Sequence, residues 1–479
     1  PSTHPVAPDP ELVPDTAAAQ LNFDGISYAK GASALRQLVA WLGEKDFLAG
    51  INTHFKRHKF ANATLADFID SLAEATDRDV HAWADVWLRT TGVDTLTPTP
   101  GEAEGYWHLT VDQHGNRPHR IVVGTYDRDL VDGTQLVPRE RFELDVPQGE
   151  SVKILPGRRP DLILLNDGDL TYAKIRFDDT SWTTLKQSLS ALPEPLTRAV
   201  VWNALRDAVR DGELPPAAYL EAARAHLPHE TDLALVQGVL TFAATQIADR
   251  YVTPENRPAA LATLTDLCRD LIRRTEDGSN PGLRLTAVRH LIGAASQPDT
   301  IRDWFDNGSV PGGPELDPEL RWRILGRLAV LGAIDDAVIE AELLHDPSAT
   351  GQEGAARCRA ALPDPEAKRA AWQEMFATDH LSNYLFTATA QGFWQPEQLD
   401  LVRDYIPRFF EDAVAVAARR GPAIADAAGR WAFPTVAVTP ETLHLGETCL
   451  ADADPSPSLR RKLIDQLDDL ARALRVRSS

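Results

Sequence analysis

Cysteine is scarce in this sequence. Its 479 residues include three cysteines, Cys268, Cys358 and Cys449, which are odd in number and far apart. Such cysteines form neither a disulfide framework nor a thiolate metal site, so they favour a reducing compartment. We therefore expect a cytoplasmic location. No apolar run reaches the ~18 residues that can span a bilayer, and the sequence indicates no membrane partner.

The amino terminus lacks two further features. The sequence opens at Pro1 without an initiator methionine, and no basic region followed by an apolar stretch marks a signal peptide. We expect either a processed protein or a fragment of a longer one. A signal peptide on a longer parent stays open, as does the origin of the truncation.

Acidic residues outnumber basic residues in this sequence. Lys and Arg total 49 against 70 Asp and Glu, which gives a formal net charge of −21 at pH 7. Binding to a phosphate backbone needs clustered Lys and Arg, so the balance argues against a nucleic-acid partner. Two interpretations of the negative charge stay open. It keeps the protein in solution, or it attracts cationic substrates such as peptides with a free amino terminus.

Complete catalytic motifs are also missing. None of the 13 histidines begins an H-E-x-x-H zinc motif, and no G-x-S-x-G elbow or Gly-rich phosphate loop occurs. His54 and His58 have the i, i+4 spacing of two ligands on one helix face, but no Glu follows His54. We expect both on the solvent side of a helix whose apolar side carries Phe47, Ile51 and Phe55. The sequence therefore predicts no metal site in this chain.

Three zones differ in their hydrophobic periodicity. Residues 1–24 are rich in Pro, Asp and Ala, and we expect an extended approach segment. Residues 27–92 carry four apolar stripes at helical spacing. One of these helices is predicted to begin with a capping box formed by Thr64 and Asp67, and another to stop at Gly92.

Residues 93–180 change to short runs of β-branched and aromatic residues, separated by Gly, Pro, Asp and Asn. Six or seven such strands predict a small β-sandwich, with Pro98 and Pro100 in a linker before it. From Ser181 onward, helical segments of twelve to eighteen residues alternate with Pro, Gly or Asp breaks. They suit a solenoid-like stack of helix pairs, and an irregular helical bundle stays open as the alternative.

One segment has a specific signature. Phe23-Asp-Gly-Ile-Ser-Tyr28-Ala-Lys30-Gly-Ala resembles the F-D-x-I-x-Y-x-K-G-A segment of the aminopeptidase N family, which are gluzincin metallopeptidases. The similarity continues in order and spacing to Gly92. Asn166-Asp-Gly-Asp-Leu-Thr-Tyr-Ala-Lys174 resembles the close of the β-domain in the bacterial branch.

This resemblance implies a mainly α chain with a small β domain. Residues 1–92 would be the C-terminal helical part of a thermolysin-like catalytic domain, 93–180 a β-sandwich, and 181–479 a superhelical, HEAT-like domain. The implied reaction is zinc-dependent hydrolysis of the amino-terminal residue of peptides. Tyr28 matches the family tyrosine that donates a hydrogen bond to the oxyanion formed when zinc-bound water attacks the carbonyl. The alternative is a Tyr28 that stabilises a helix start.

The neighbours of Tyr28 are expected to act through structure: Lys30 and Gly31 in packing, and Asp24 as a cap. The family's G-x-M-E-N and zinc motifs lie upstream of the tyrosine, and the 27 residues before Tyr28 contain neither. We therefore expect Zn²⁺ in the full-length parent and none on this chain, which alone should be inactive. Two rival functions remain. One is a non-catalytic helical-repeat scaffold that binds peptides or proteins, and the other is a degenerate paralogue that binds peptides without cutting them.

Overall fold

The computed structural model describes residues 4–22, 24–103, 105–131, 133, 135–147 and 150–479. The chain divides into two compact units, the first ending at Ala208 and the second running from Val209 to Ser479. It is mainly helical with one small β region, which confirms the predicted fold class. The boundaries predicted near residues 92 and 180, and the helical-repeat description, stay predictions.

The helices of the first unit are short. They are α1 Thr16–Leu21, α2 Gly31–Leu42, α3 Glu44–His58, α4 Leu65–Ala73, α5 Val80–Leu88, α6 Asp179–Ser188 and α7 Pro195–Arg210, the last of which runs to the start of the second unit. A π-helical turn, Ile26–Lys30, leads directly into α2. The predicted capping box is confirmed, because Thr64 and Asp67 exchange side-chain to backbone hydrogen bonds at the start of α4.

The extended segment predicted before residue 24 is wrong for the residues that the structure describes there. Pro10–Leu12 forms a 3-10 turn and α1 follows. The Asp15 side chain accepts a hydrogen bond from the Ala18 amide, so it caps a run of alanines that favour helix.

The helical core of the first unit lies between α2, α4 and α5, around Leu38, Leu72, Trp83 and Trp87. Helix α3 approaches α4 through Gly50, where a Cβ would lie 2.7 Å from the Leu72 side chain. Only glycine permits this contact, so the face of α3 that contains Gly50 is the buried one.

Two sheets follow, built from β1 Asp94–Ala103, β2 Tyr106–His114, β3 His119–Arg128, β4 Leu136–Val146, β5 Glu150–Pro156, β6 Leu162–Leu165 and β7 Ala173–Ile175. One sheet has the order β5-β2-β1-β7 and the other β4-β3-β6. Side chains of both sheets, such as Trp107 and Val111 from one and Val123 and Ile163 from the other, share one buried core. The predicted β-sandwich is therefore present.

Pro98 and Pro100 do not form the predicted linker; they lie inside β1, opposite Val111 and Leu109. The Leu96 carbonyl accepts a hydrogen bond from the Arg176 amide. The backbone N–H and C=O groups of the even-numbered residues of β1 therefore point toward the side on which β7 pairs. Strand β7 pairs only as far as Leu96. The two prolines thus lie beyond the residues that pair with β7, where the strand tolerates a residue without an N–H.

The second unit is helical throughout. Its helices are α8 Pro216–His226, α9 Leu233–Phe242, α10 Arg257–Arg274, α11 Pro281–Ala294, α12 Asp299–Asn307, α13 Pro318–Val330, α14 Asp336–His345, α15 Ala349–Ala361, α16 Pro365–Phe376, α17 Asn383–Phe393, α18 Leu399–Val402, α19 Tyr405–Arg420, α20 Pro422–Trp431, α21 Pro440–Asp452 and α22 Pro457–Ser478. A π-helical stretch, Ala243–Tyr251, continues α9. Helices α11, α13, α15, α17, α20 and α22 contact one another in that order.

Long polar side chains bond to carbonyls at the ends of these helices. Buried Lys368 donates to the carbonyls of Ala360 and Phe393, at the ends of α15 and α17. Gln398 donates to the last carbonyls of α13 and α15, and Arg327 to the carbonyl that follows α11. These donors satisfy carbonyls that have no partner within their own helix. None of the helices described is long and apolar enough to cross a membrane.

Candidate functional site

Tyr28 lies in the middle of the π-helical turn Ile26–Lys30, hereafter the Tyr28 turn. Its side chain is 61% exposed, whereas Lys30, two residues further, is 4% exposed. The turn therefore presents one aromatic side chain to solvent and buries the lysine beside it. Single π-helical turns in helical segments occur frequently at functional sites.

Asp24 holds the start of the Tyr28 turn, as expected. Its carboxylate accepts hydrogen bonds from the amides of Ile26 (2.8 Å) and Ser27 (3.4 Å). The Ser27 hydroxyl donates to the Asn22 carbonyl at 2.7 Å. Partial burial raises the pKa of Asp24, but the hydrogen bond with His4 and those from the two amides outweigh this and lower it below its usual range. Asp24 is thus held in its charged, cap-forming state.

Lys30 holds the end of the turn. Its Nζ donates to the carbonyls of Gly92 (3.1 Å) and Thr90 (3.4 Å), which follow α5. Burial, together with the positive charge of Arg117, lowers the pKa of Lys30 to about 8, although Asp94 opposes the shift. The next residue, Gly31, packs against Val6, whose Cγ1 would lie 3.4 Å from an added Cβ. The packing roles expected for Lys30 and Gly31 are confirmed.

Helix α2, which continues the turn, is fixed to the strands by two polar side chains. The Gln37 side-chain amide accepts a hydrogen bond from the Arg120 N–H at 2.6 Å and donates one to the Arg120 carbonyl at 2.9 Å. It thus pairs with the backbone of Arg120 as a residue of a neighbouring strand would. It also donates to the Leu170 carbonyl, and Arg36 donates to the Gly168 carbonyl at 3.0 Å. These contacts were not predicted from the sequence. The available signal was the seven-residue spacing of Lys30 and Gln37, which puts the two side chains on one face of the continuous segment formed by the Tyr28 turn and α2.

A buried charge network lies beyond Lys30. The Asp94 carboxylate accepts from the side chain of Arg117 at 2.6 Å, from its amide at 2.8 Å and from Gln113 at 2.9 Å, and it contacts His119 at 3.2 Å. We call Asp94, Gln113, Arg117 and His119 the Asp94 cluster. Burial raises the pKa of Asp94, but its bonds with His119, the Arg117 amide and Gln113 together hold that pKa far below its usual range. Arg117 also donates to Thr90, whose carbonyl accepts from Lys30.

His54 and His58 lie on α3 with ring centroids 5.0 Å apart. Their predicted solvent-side position is wrong. Both are half-buried, with His54 edge-on to Phe68, whereas Phe55 is 66% exposed. The reason is Gly50, which brings α4 against the face of α3 that His54 shares at i+4.

A zinc ion needs three or four ligands in tetrahedral geometry. Among the residues that the structure describes, no three His, Cys, Asp or Glu side chains are grouped so as to hold a metal ion. His54 and His58 have no third partner of this kind. The described residues therefore do not fit a zinc site.

The second unit contains a polar cavity of about 580 Å³. Arg323, Arg327, Arg357, Glu319, Glu353 and Gln391 are among its lining residues. Arg357 bonds to the Gln391 side-chain oxygen at 3.0 and 3.2 Å, and Arg327 pairs with Glu397 at 2.8 Å. The cavity offers donors and acceptors for a polar ligand.

Two family descriptions match the chain. Residues 1–87 match the peptidase family M1 domain, and residues 162–472 match the ERAP1-like C-terminal domain. The first match contains the Tyr28 turn and helices α2 to α5, and the second contains most of the helical unit.

Similar proteins include several aminopeptidases. Aminopeptidase N of Streptomyces lividans is 36% identical over all of this chain, which spans 57% of that relative's length. The alanine/arginine aminopeptidase of Saccharomyces cerevisiae is 37% identical over 36% of this chain and 21% of its own length. Aminopeptidase A of Legionella pneumophila, solved in complex with aspartic acid, has the same fold over 95% of this chain and 58% of its own, with a TM-score of 0.65 at 15% identity.

Proposed function

Because the chain belongs to the aminopeptidase N family of M1 peptidases, we propose that it works as part of an enzyme that hydrolyses the amino-terminal residue of peptides. Its substrates are peptides with a free amino terminus, and the net charge of −21 favours the approach of the positively charged amino group. The chain covers little more than half of its Streptomyces relative, so the proposed enzyme includes residues beyond this chain.

Tyr28 is the catalytic residue of this proposal. When water adds to the scissile carbonyl, the carbonyl oxygen gains negative charge, and the phenol O–H of Tyr28 donates a hydrogen bond to it. The observation that carries the role is a 61% exposed tyrosine on a turn held at both ends by the buried contacts of Asp24 and Lys30. A donor held in place before charge develops loses little to reorganisation, and one such donor contributes about 10²–10³ in rate.

Zinc is the metal that the family implies. Since the described residues do not fit a zinc site, we propose that its ligands belong to the part of the enzyme outside this chain. Expressed alone, the chain should hydrolyse no aminoacyl substrate and retain no stoichiometric zinc after dialysis. One tightly held zinc per chain in metal analysis would overturn this and direct attention to His54 and His58.

The test of Tyr28 is Tyr28→Phe in the full-length enzyme. The change removes one donor and keeps the ring, so kcat and kcat/KM should fall together by about 10²–10³, while KM and the melting temperature stay near wild type. Tyr106→Phe is the matched control, because Tyr106 is an exposed tyrosine on β2 of the same unit. Steady-state kinetics beside a thermal melt measure both.

Two results would contradict the role. Survival of kcat within a few-fold in Tyr28→Phe means that the hydroxyl is not the oxyanion donor. A lower melting temperature with normal turnover per folded molecule means that Tyr28 only stabilises the helix start.

We propose a cytoplasmic location. In support, the three cysteines are unpaired and buried, and burial raises the pKa of Cys268 and of Cys358 to about 12, which keeps these thiols unreactive. A reducing compartment suits thiols that make no disulfide.

A non-catalytic peptide-binding scaffold is the second candidate function. The observation that favours it is the polar cavity of about 580 Å³ in the helical unit. Full-length protein that binds peptides but cuts none, with Tyr28→Phe silent, would select this candidate.

A further inference from the structure

Both ring nitrogens of His4 face hydrogen-bond acceptors. His4 is 8% exposed. Its Nδ1 lies 2.7 Å from the Pro5 carbonyl oxygen, and its Nε2 lies 3.1 Å from each oxygen of the Asp24 carboxylate. A carbonyl and an ionised carboxylate only accept, and a neutral imidazole has a single N–H. Both contacts are satisfied together only when His4 carries a proton on each nitrogen.

Asp24 supplies the negative charge that this state requires. Its pKa is lowered despite partial burial, so the carboxylate is ionised at neutral pH. Its carboxylate lies within ion-pair distance of His4, at 3.1 Å. The two therefore form an ion pair in which the imidazole is buried and the Asp24 carboxylate is 32% exposed.

The same carboxylate joins this pair to the Tyr28 turn. Asp24 accepts from the Ile26 and Ser27 amides, the first two of the turn. The segment that carries His4 is itself fixed, because the Ala7 amide donates to the Leu88 carbonyl at 2.8 Å and Val6 packs on Gly31. His4 thus links a fixed segment, through one carboxylate, to the backbone that orients Tyr28.

We propose that His4, as an imidazolium paired with Asp24, is a positioning residue for Tyr28. The proposal rests on the proposed function of Tyr28 as oxyanion donor. If His4 loses a proton, either its contact to Pro5 or its contact to Asp24 has no hydrogen, and the cap at the start of the turn loosens. A displacement of about 1 Å in a catalytic group costs on the order of 10²-fold in rate, so the pair tunes activity without touching substrate.

The protonation state is measured on the chain itself by ¹⁵N NMR of labelled histidine, with the His4 signals assigned by His4→Gln. Because each ring nitrogen faces an acceptor, both His4 nitrogens should show imidazolium shifts. Asp24→Asn should return His4 to a neutral tautomer. The reference is His81, which contacts Asp70 at 3.4 Å with both side chains about 60% exposed, and Asp70→Asn should leave His4 unchanged. A neutral His4 in the wild-type chain overturns the proposal.

The positioning role is measured in the full-length enzyme by a double-mutant cycle. His4→Gln should lower kcat about tenfold at nearly unchanged KM, and should lower it no further when Tyr28 is already Phe. If His4 only stabilises the fold, His4→Gln should lower kcat equally in the wild-type and the Tyr28→Phe enzyme and should lower the melting temperature. That result overturns the positioning role of His4 and leaves the proposed role of Tyr28 intact. If Tyr28→Phe itself leaves kcat within a few-fold, the function of Tyr28 fails first, and positioning fails with it.

Discussion

The two units differ in how their buried polar side chains are arranged. In the first, the Asp94 carboxylate accepts bonds from Gln113, Arg117 and His119 between α5 and the strands. In the second, Lys368, Gln398 and Arg327 each bond to carbonyls at the ends of different helices. Where α5 meets the strands, several polar contacts thus share one carboxylate. In the helical unit, the polar contacts are separate, and each involves one or two helix-end carbonyls. The difference predicts large effects of single changes in the first unit and moderate effects in the second.

The largest effect is expected from Asp94→Asn. The change removes the negative charge and leaves Arg117, which is 2% exposed, without a counter-ion. Breaking a buried pair from one side costs about 3–5 kcal/mol in the free energy of unfolding. Chemical denaturation followed by tryptophan fluorescence measures this, since Trp87 lies beside Arg117 and His119.

The matched control is Asp85→Asn. Asp85 pairs with Arg89 at 3.2 Å, but its side chain is 72% exposed, and such surface pairs contribute little. If both variants lose equal stability, the first unit does not depend on its buried cluster and the contrast between the units disappears.

A smaller effect is expected where α13 and α15 touch. A Cβ on Gly354 would lie 2.4 Å from the buried ring of Trp322, so Gly354→Ala should cost about 1–3 kcal/mol. Gly326→Ala, on α13, meets nothing within 4 Å and should gain roughly 0.5–1 kcal/mol, because alanine restricts the unfolded chain. Thermal melts of the two variants should shift in opposite directions. Equal shifts would show that helix propensity, not contact between helices, governs this unit.

The last effect concerns Lys368, and its size is set by the pH interval that is compared. Burial lowers the pKa of Lys368 to about 7, against about 10.4 in an unfolded chain. Between these values the unfolded state binds the extra proton, so stability rises with pH by at most ~1.4 kcal/mol per pH unit. Lys368→Met should remove this increase in stability with pH. The measurement is amide hydrogen exchange in α15 and α17 at about pH 7 and 9, corrected for intrinsic exchange rates.

The control for this change is Lys462→Met, since Lys462 is partly exposed and pairs with Asp426 at 3.3 Å. It should keep the pH dependence of the wild-type chain. A Lys368→Met chain that still gains stability with pH would mean that Lys368 stays charged when buried, held by the two helix carbonyls.

Much of the fold was predictable because helices and strands have hydrophobic periodicities that can be read from residues close together in the sequence. The apolar spacing in α2 to α5 and the alternation in most of the strands are recorded in neighbouring residues, and the Thr64 capping box needs only four. Strand β1 was missed because prolines argue against a strand, and their tolerance depends on where β7 ends. The buried side of α3 was missed because it depends on Gly50 meeting α4.

The candidate site was only partly predictable. Tyr28 and the cap at Asp24 came from a contiguous segment and its resemblance to a family. The residues that hold the segment, His4, Gln37 and the Asp94 cluster, act across 20 to 133 residues of sequence. Apart from the spacing of Lys30 and Gln37, the sequence carries no sign of these contacts, because the pairing is set by how helix and strand meet.

The prolines of β1 have a consequence for where the sheet ends. Beyond Leu96, Pro98 and Pro100 offer no N–H on the side of β1 where β7 pairs. Pro98 is also buried, so other parts of the protein cover this stretch of the strand. The sheet therefore ends there without a row of free donors that another strand could pair with.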